Sequence, residues 1–235
     1  MRAELRPFSP HAQARLAGVL YLIVIAAGLF AEAFVRDRVI VPSDAAATAA
    51  NITRHSLLFR LGIAADLSTF VCAIPLTMIL YFLLRPVNGQ VALMMVMFNL
   101  IQDAIGGLNA INTYRPLQLL GGASYLKVFT AEQLQAMALA SLRAHEVGFG
   151  IALIFFAFSC LALGYLTFKS GFLPRALGVL MAIAGGCYLV NSCALILSPT
   201  LASILFPAIL LPAFLGELSF AVWLTAKGVR RDAAA

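Results

Sequence analysis

Charge is what this chain has least of. Asp, Glu, Lys and Arg make up 11% of its 235 residues, where a soluble domain carries about a quarter, and the mean hydropathy is +0.96. That ratio excludes a water-soluble enzyme. Histidine is scarce as well: of the three present, His11 falls on the opposite side of the expected spans from His55 and His145. A zinc-type ligand set therefore has little to draw on. Cys72, Cys160, Cys187 and Cys193 lie inside apolar stretches at no metal-ligand spacing. They read as small buried hydrophobes, not as a disulfide framework. The chain has no Walker loop, dinucleotide fingerprint, haem-attachment motif or Gly-x-Ser-x-Gly, so neither cofactor nor metal is expected. The net charge is +6, but the longest basic run is Arg230-Arg231 and no aromatic residues interleave with it. Nucleic acid is therefore not the expected partner.

What the chain does have is apolar runs of the length a bilayer demands. A helix needs roughly twenty apolar residues to cross the hydrocarbon core, because unpaired backbone groups in lipid cost several kcal/mol each. Six stretches qualify: 15–34, 57–84, 91–113, 147–168, 173–197 and 201–226. The expected fold is all-α, a single six-helix transmembrane bundle with the lipid bilayer as its partner and homo-oligomerisation left open. Arg2 and Arg6 before the first run, with Ala31-Glu32-Ala33 after it, imitate a secretory signal. The apolar core exceeds the 7 to 15 or so residues of a cleaved signal, so a retained helix is expected.

Lys and Arg set the expected orientation. Arg2, Arg6, Arg15, Arg85, Lys169, Arg175, Lys227, Arg230 and Arg231 fall on one side. The other side has fewer and dilutes them with Asp37, Asp44 and Glu132, so both termini are expected in the cytoplasm. The two longer outer loops each predict a short interfacial helix. Ser43-Asp44 caps one that runs to Arg54, and Thr130 opens another with Leu134, Met137, Ala138 and Leu142 on one face. They would either cover a site as a lid or shield helix ends.

A charge near the middle of a spanning helix costs about 2.5 to 3.5 kcal/mol on insertion scales, so each such residue needs a partner, water or a purpose. Glu32, Arg60, Asp66, Asp103, Glu146 and Glu217 are in that position. Arg60 could meet Glu32 or Glu146, Asp66 could meet Asp103, and Glu217 could meet Arg175 or Arg15. On the third span Asn99, Gln102, Asp103, Gly106, Asn109 and Thr113 fall within an arc of about 120° at 100° per residue. This polar stripe is either a cavity wall or a set of interhelical hydrogen bonds. Gly178, Ala182 and Gly186 on the fifth span carry the spacing of close helix packing.

Several segments also carry a likeness. Ser43-Asp44 with Thr48, Asn51-Ile52 and Phe59-Arg60 resembles the bacterial family catalogued as domain of unknown function 4386. So do Gly164-Tyr165-Leu166, Ser170 to Gly178 with Leu-Pro-Arg, Gly216-Glu217, Trp223-Leu224 and Lys227-Gly228-Val229. The resemblance implies six helices in a bacterial cytoplasmic (inner) membrane and brings no established activity. The functional expectation is an outward-facing polar cavity lined by Arg60, Asp66, Asn99, Asp103, Asn109 and Glu146 that binds or moves a small polar or amphiphilic molecule. Arg60 would hold an anionic group, and Asp66 or Asp103 a cation or proton. The alternatives are an intramembrane enzyme acting on lipid and a structural or accessory subunit.

Overall fold

The computed structural model describes residues 9–229, and every regular element in that range is helical. Arg2, Arg6, Arg230 and Arg231, which enter the charge count, lie outside the described residues. The first spanning element is α1 (Pro10–Leu29), continued without a break by a π-helical stretch (Phe30–Arg36) and the short α2 (Asp37–Val39). Ser9 caps its start, with Pro10 at the first helical position, where a missing N–H costs nothing. The others are α3 (Ala45–Arg54), α4 (Ser56–Leu84), α5 (Gly89–Leu119), α6 (Ala131–Lys169), α7 (Arg175–Leu197), α8 (Pro199–Leu205) and α9 (Leu210–Lys227). Six of these helices are long and apolar enough to cross a membrane, as the composition requires.

Three boundaries differ from expectation for local reasons. The helix opened by Thr130 is not a separate loop element: it runs unbroken into the fourth span, giving a helix of 39 residues. Thr130 and Gln133 form a reciprocal capping box at its start. Arg143-Ala144-His145-Glu146 is polar but contains no helix breaker, so polarity there does not mark an end. The last expected span is split into α8 and α9, with Pro207 between them. The first span extends to Val39 and takes in Arg36, which the sequence places in a loop.

The spanning helices close a ring. α1 packs on α4, α4 on α5, α5 on α6, α6 on α7, α7 on α9, and α9 returns to α1. The two described ends of the chain meet at one face of this ring, where Arg15 Nε donates to Thr225 O at 3.0 Å and His11 Nδ1 lies 3.1 Å from Val229 O. At that face the interior is filled by apolar side chains from all six helices, among them Ala17, Leu80, Leu84, Met95, Leu166, Leu177, Met181 and Leu224. At the opposite face α3 lies over the ends of α4, α5 and α6, burying Thr48, Ala49 and Ile52. Asp44 Oδ1 caps α3 by accepting from Ala47 N at 2.8 Å. Thr48 Oγ1 and Asn51 Nδ2 tie α3 back to Val41 and Val39. Arg143 of α6 donates to Pro42 O at 2.8 Å, holding the loop before α3 to the bundle.

Of the expected close-packing stripe, Gly178 and Ala182 lie against Gly164 of α6 and Gly186 does not. A Cβ on Gly178 would stand 2.7 Å from Gly164 O and 2.6 Å from Phe168 N, so α6 and α7 touch backbone to backbone there. Gly185, not Gly186, continues that contact, meeting Ala157 O at 2.7 Å, while nothing stands within 4 Å of Gly186. Seven residues are close to two helical turns, so 178 and 185 share a face.

Candidate functional site

The polar stripe of α5 faces inward: Asn99, Asp103, Gly106, Asn109 and Thr113 are all buried. Distance along the helix gives each a level. Asp103 lies 14 positions after Gly89, the first residue of α5, or about 21 Å along a helix rising 1.5 Å per residue. That is near the centre of a 31-residue helix. Asn109 is 6 positions, about 9 Å, nearer the face covered by α3.

The stripe divides into groups that are satisfied and one that is not. Asn99 Oδ1 accepts from Thr77 Oγ1 of α4 at 2.6 Å. Asn109 Nδ2 donates to His145 O at 2.9 Å and lies 3.1 Å from His145 Nδ1, while Asn112 Nδ2 donates to Asn109 Oδ1 at 2.9 Å. Thr113 Oγ1 turns back to Ala110 O. These are interhelical and local hydrogen bonds of the kind that glue membrane helices. Asp103 differs, because both of its carboxylate oxygens are buried and neither has a hydrogen-bond partner among the described residues. Most buried polar atoms are paired, since leaving one unpaired costs about 1 to 3 kcal/mol and more for a charged group. Ser192 Oγ on α7 is also buried without a partner. One turn beyond Asp103, the absent side chain of Gly106 lets the Phe70 ring of α4 lie against the α5 backbone.

Nearer the α3 face stands an ion cluster that the sequence did not reveal. Arg36, on the π-helical stretch, donates from Nη1 to Asp66 Oδ2 at 2.6 Å, from Nη2 to Asp66 Oδ1 at 3.2 Å and from Nε to Glu32 Oε2 at 2.6 Å. The Arg36 and Asp66 side chains are 11% and 13% exposed, so this pair is largely desolvated, whereas Glu32 at 53% is not. Bidentate geometry of this kind is what a guanidinium offers a carboxylate.

Of the six residues expected to line a pocket, the structure groups four loosely along the interior and leaves two outside. Asp66, Asn99, Asp103 and Asn109 face inward. The carboxylate of Asp66 is taken up by Arg36, not shared with Asp103. Arg60 is exposed and makes no hydrogen bond or ion pair among the described residues, because the face of α4 that it occupies points away from the ring. Glu146 is exposed and bound by Arg143 one turn back at 2.9 Å. Glu32 therefore pairs with Arg36 and Glu146 with Arg143; Arg60 pairs with neither. Glu217 meets neither Arg175, which stacks over Phe168, nor Arg15, which bonds Thr225 O. Arg36 escaped the sequence reading because it follows Phe34 in what looks like a loop. The signal available was the i, i+4 spacing of Glu32 and Arg36, which implies that the helix continues.

The fold and composition define a multi-pass membrane protein with a ring of six helices and polar groups along its interior. The chain belongs to the family described as domain of unknown function 4386, whose model matches residues 16–228. A protein of Archaeoglobus fulgidus described as uncharacterized is similar to it, 29% identical over 150 residues, which is 63% of this chain and 72% of that one. No solved structure matches.

Proposed function

We propose that this protein binds, and moves across or within the membrane, a small polar or amphiphilic molecule that enters the helix ring from the α3 face. One observation carries the reading: Asp103 presents a buried carboxylate at mid-helix with no partner. A protein that only needed to pack would gain by an apolar residue there. The levels of the polar groups support it. His145, Asn109, the Arg36–Asp66 pair and Asp103 descend from the α3 face toward the centre, and beyond them the interior becomes an apolar plug. Such an arrangement gives the interior a polar half toward α3 and an apolar half toward the termini.

The interior charge favours a positively charged group. Arg36 and Asp66 offset each other, and Asp103 adds a buried carboxylate with no hydrogen-bond partner among the described residues. The Lys and Arg distribution supports placing the termini, and the plug, on the cytoplasmic side of a bacterial inner membrane, with the α3 face outward. Thermal unfolding of the purified protein tests the reading against a panel of primary amines, quaternary ammonium ions, amino acids and lysophospholipids. At least one class should raise the transition temperature of the wild type and not that of Asp103→Asn. A panel that shifts both equally, or neither, refutes it.

A further inference from the structure

Away from Asp103, a second buried acid has no role in the reading above. Glu217 on α9 is 7% exposed, and it lies 10 positions before Lys227, about 15 Å along the helix from that end. Three helices converge on it. Tyr21 of α1 donates its hydroxyl to Oε2 at 3.0 Å, and Tyr188 of α7 donates to Oε1. Phe220 packs edge-on against Tyr21, Phe156 tilts over Tyr188, and Cys160 of α6 is buried in the same cluster as Tyr21 and Phe220.

The titratable groups that face Glu217 are therefore Tyr21 from α1, Tyr188 from α7 and Cys160 from α6. None of these is a cation. The basic residues on the same helices are placed elsewhere: Arg15 on Thr225 O, Arg175 over Phe168, His11 against Val229 O, Arg143 on Glu146 and His145 on Asn109, with Lys169 and Lys227 exposed at helix ends. Two neutral phenols give each carboxylate oxygen one hydrogen bond but supply no opposite charge. An isolated ion in such surroundings carries a desolvation cost of several kcal/mol. A proton is the smallest ligand that removes this cost, and it requires no cavity.

We propose that Glu217, Tyr21 and Tyr188 form a proton-binding site in the middle of the membrane. Charge and atoms balance simply. In the ionised form each carboxylate oxygen accepts one phenolic hydrogen. When Oε1 takes a proton, the new acid O–H donates to Tyr188 Oη, whose own hydrogen turns off Oε1, while Tyr21 continues to donate to Oε2. Only one hydroxyl has to rotate. α9 and α5 stand on opposite sides of the ring, so Glu217 and Asp103 approach the interior from opposite walls. The proton site does not depend on Asp103 binding a solute.

Infrared difference spectroscopy of the full chain in phosphatidylcholine vesicles, stepped between acidic and alkaline buffer, tests this directly. The wild type should show a protonated-carboxylic-acid C=O band that is lost as the pH rises. Asp103→Asn should keep that band and Glu217→Gln should remove it. Tyr188→Phe should shift its frequency, because one hydrogen-bond partner is gone; this variant preserves the test if Glu217→Gln does not fold. A Glu217 acid band that persists unchanged across the pH range would make the cluster a fixed structural bond and overturn the proposal. So would a carboxylate signal at every pH, or a band indifferent to Tyr188→Phe.

Discussion

Arg36→Ala gives the most quantitative test of how this bundle tolerates charge. The guanidinium makes three hydrogen bonds to Asp66 and Glu32. Charges about 3 Å apart attract by roughly 5 kcal/mol at an effective dielectric constant of 20, before desolvation is subtracted. Removing the arginine leaves Asp66 at 13% side-chain exposure with no counter-charge, and breaking a buried pair in that way costs about 3 to 5 kcal/mol. Asp66→Asn should cost less, because Arg36 keeps its ion pair with Glu32 at 2.6 Å. Replacing both, as Arg36→Met with Asp66→Leu, should recover most of the loss, since buried pairs are often matched by apolar residues of similar volume. A double-mutant cycle should give a coupling energy of about 2 to 3 kcal/mol. Reversible unfolding in mixed micelles, read by tryptophan fluorescence at Trp223 and by circular dichroism, provides the free energies. Strictly additive losses would refute the reasoning, because the two side chains would then not be carrying each other's charge.

Other consequences follow from single contacts. Glu32→Gln should change stability by less than about 1 kcal/mol, as its carboxylate is 53% exposed; the same unfolding assay checks it. Arg60→Ala should be near neutral in stability and leave any ligand-induced thermal shift intact, because the residue is exposed and unpaired among the described residues; a thermal-shift series in detergent decides it. Gly178→Ala should cost about 1 to 3 kcal/mol by forcing α6 and α7 apart, since the added methyl would meet backbone atoms at 2.6 and 2.7 Å. The equivalent change at Gly186, where nothing stands within 4 Å, should be tolerated in the same assay. Asp44→Ala should cost about 1 kcal/mol at the α3 cap, visible as faster amide hydrogen exchange over residues 45–54.

The spans were legible because a membrane imposes a length, and apolar runs of that length have few alternative uses. The inward stripe of α5 was legible for a similar reason, since Asn99, Asp103, Gly106 and Asn109 repeat at helical period. What the sequence hid were the partners. Arg36 sits past an apolar run that looks finished, and the π-helical turn that carries it inward leaves no composition mark. Tyr21 and Tyr188 carry no mark in the sequence, because the fold brings them to Glu217 from 196 and 29 residues away. Arg60 looked buried from its neighbours in sequence, but the face it occupies on α4 depends on where α1 and α5 pack. Depth was readable from position, whereas direction around a helix required the ring.

Access to Asp103 is the most direct test of the account. With Cys72, Cys160, Cys187 and Cys193 replaced by alanine, Asp103→Cys should react with a small membrane-impermeant methanethiosulfonate added from the α3 side of oriented vesicles. It should stay unmodified when the reagent is added from the side of the termini, where the apolar plug stands. Reaction from the terminal side, or from neither side, would contradict a polar interior that opens beneath α3 and ends at that carboxylate.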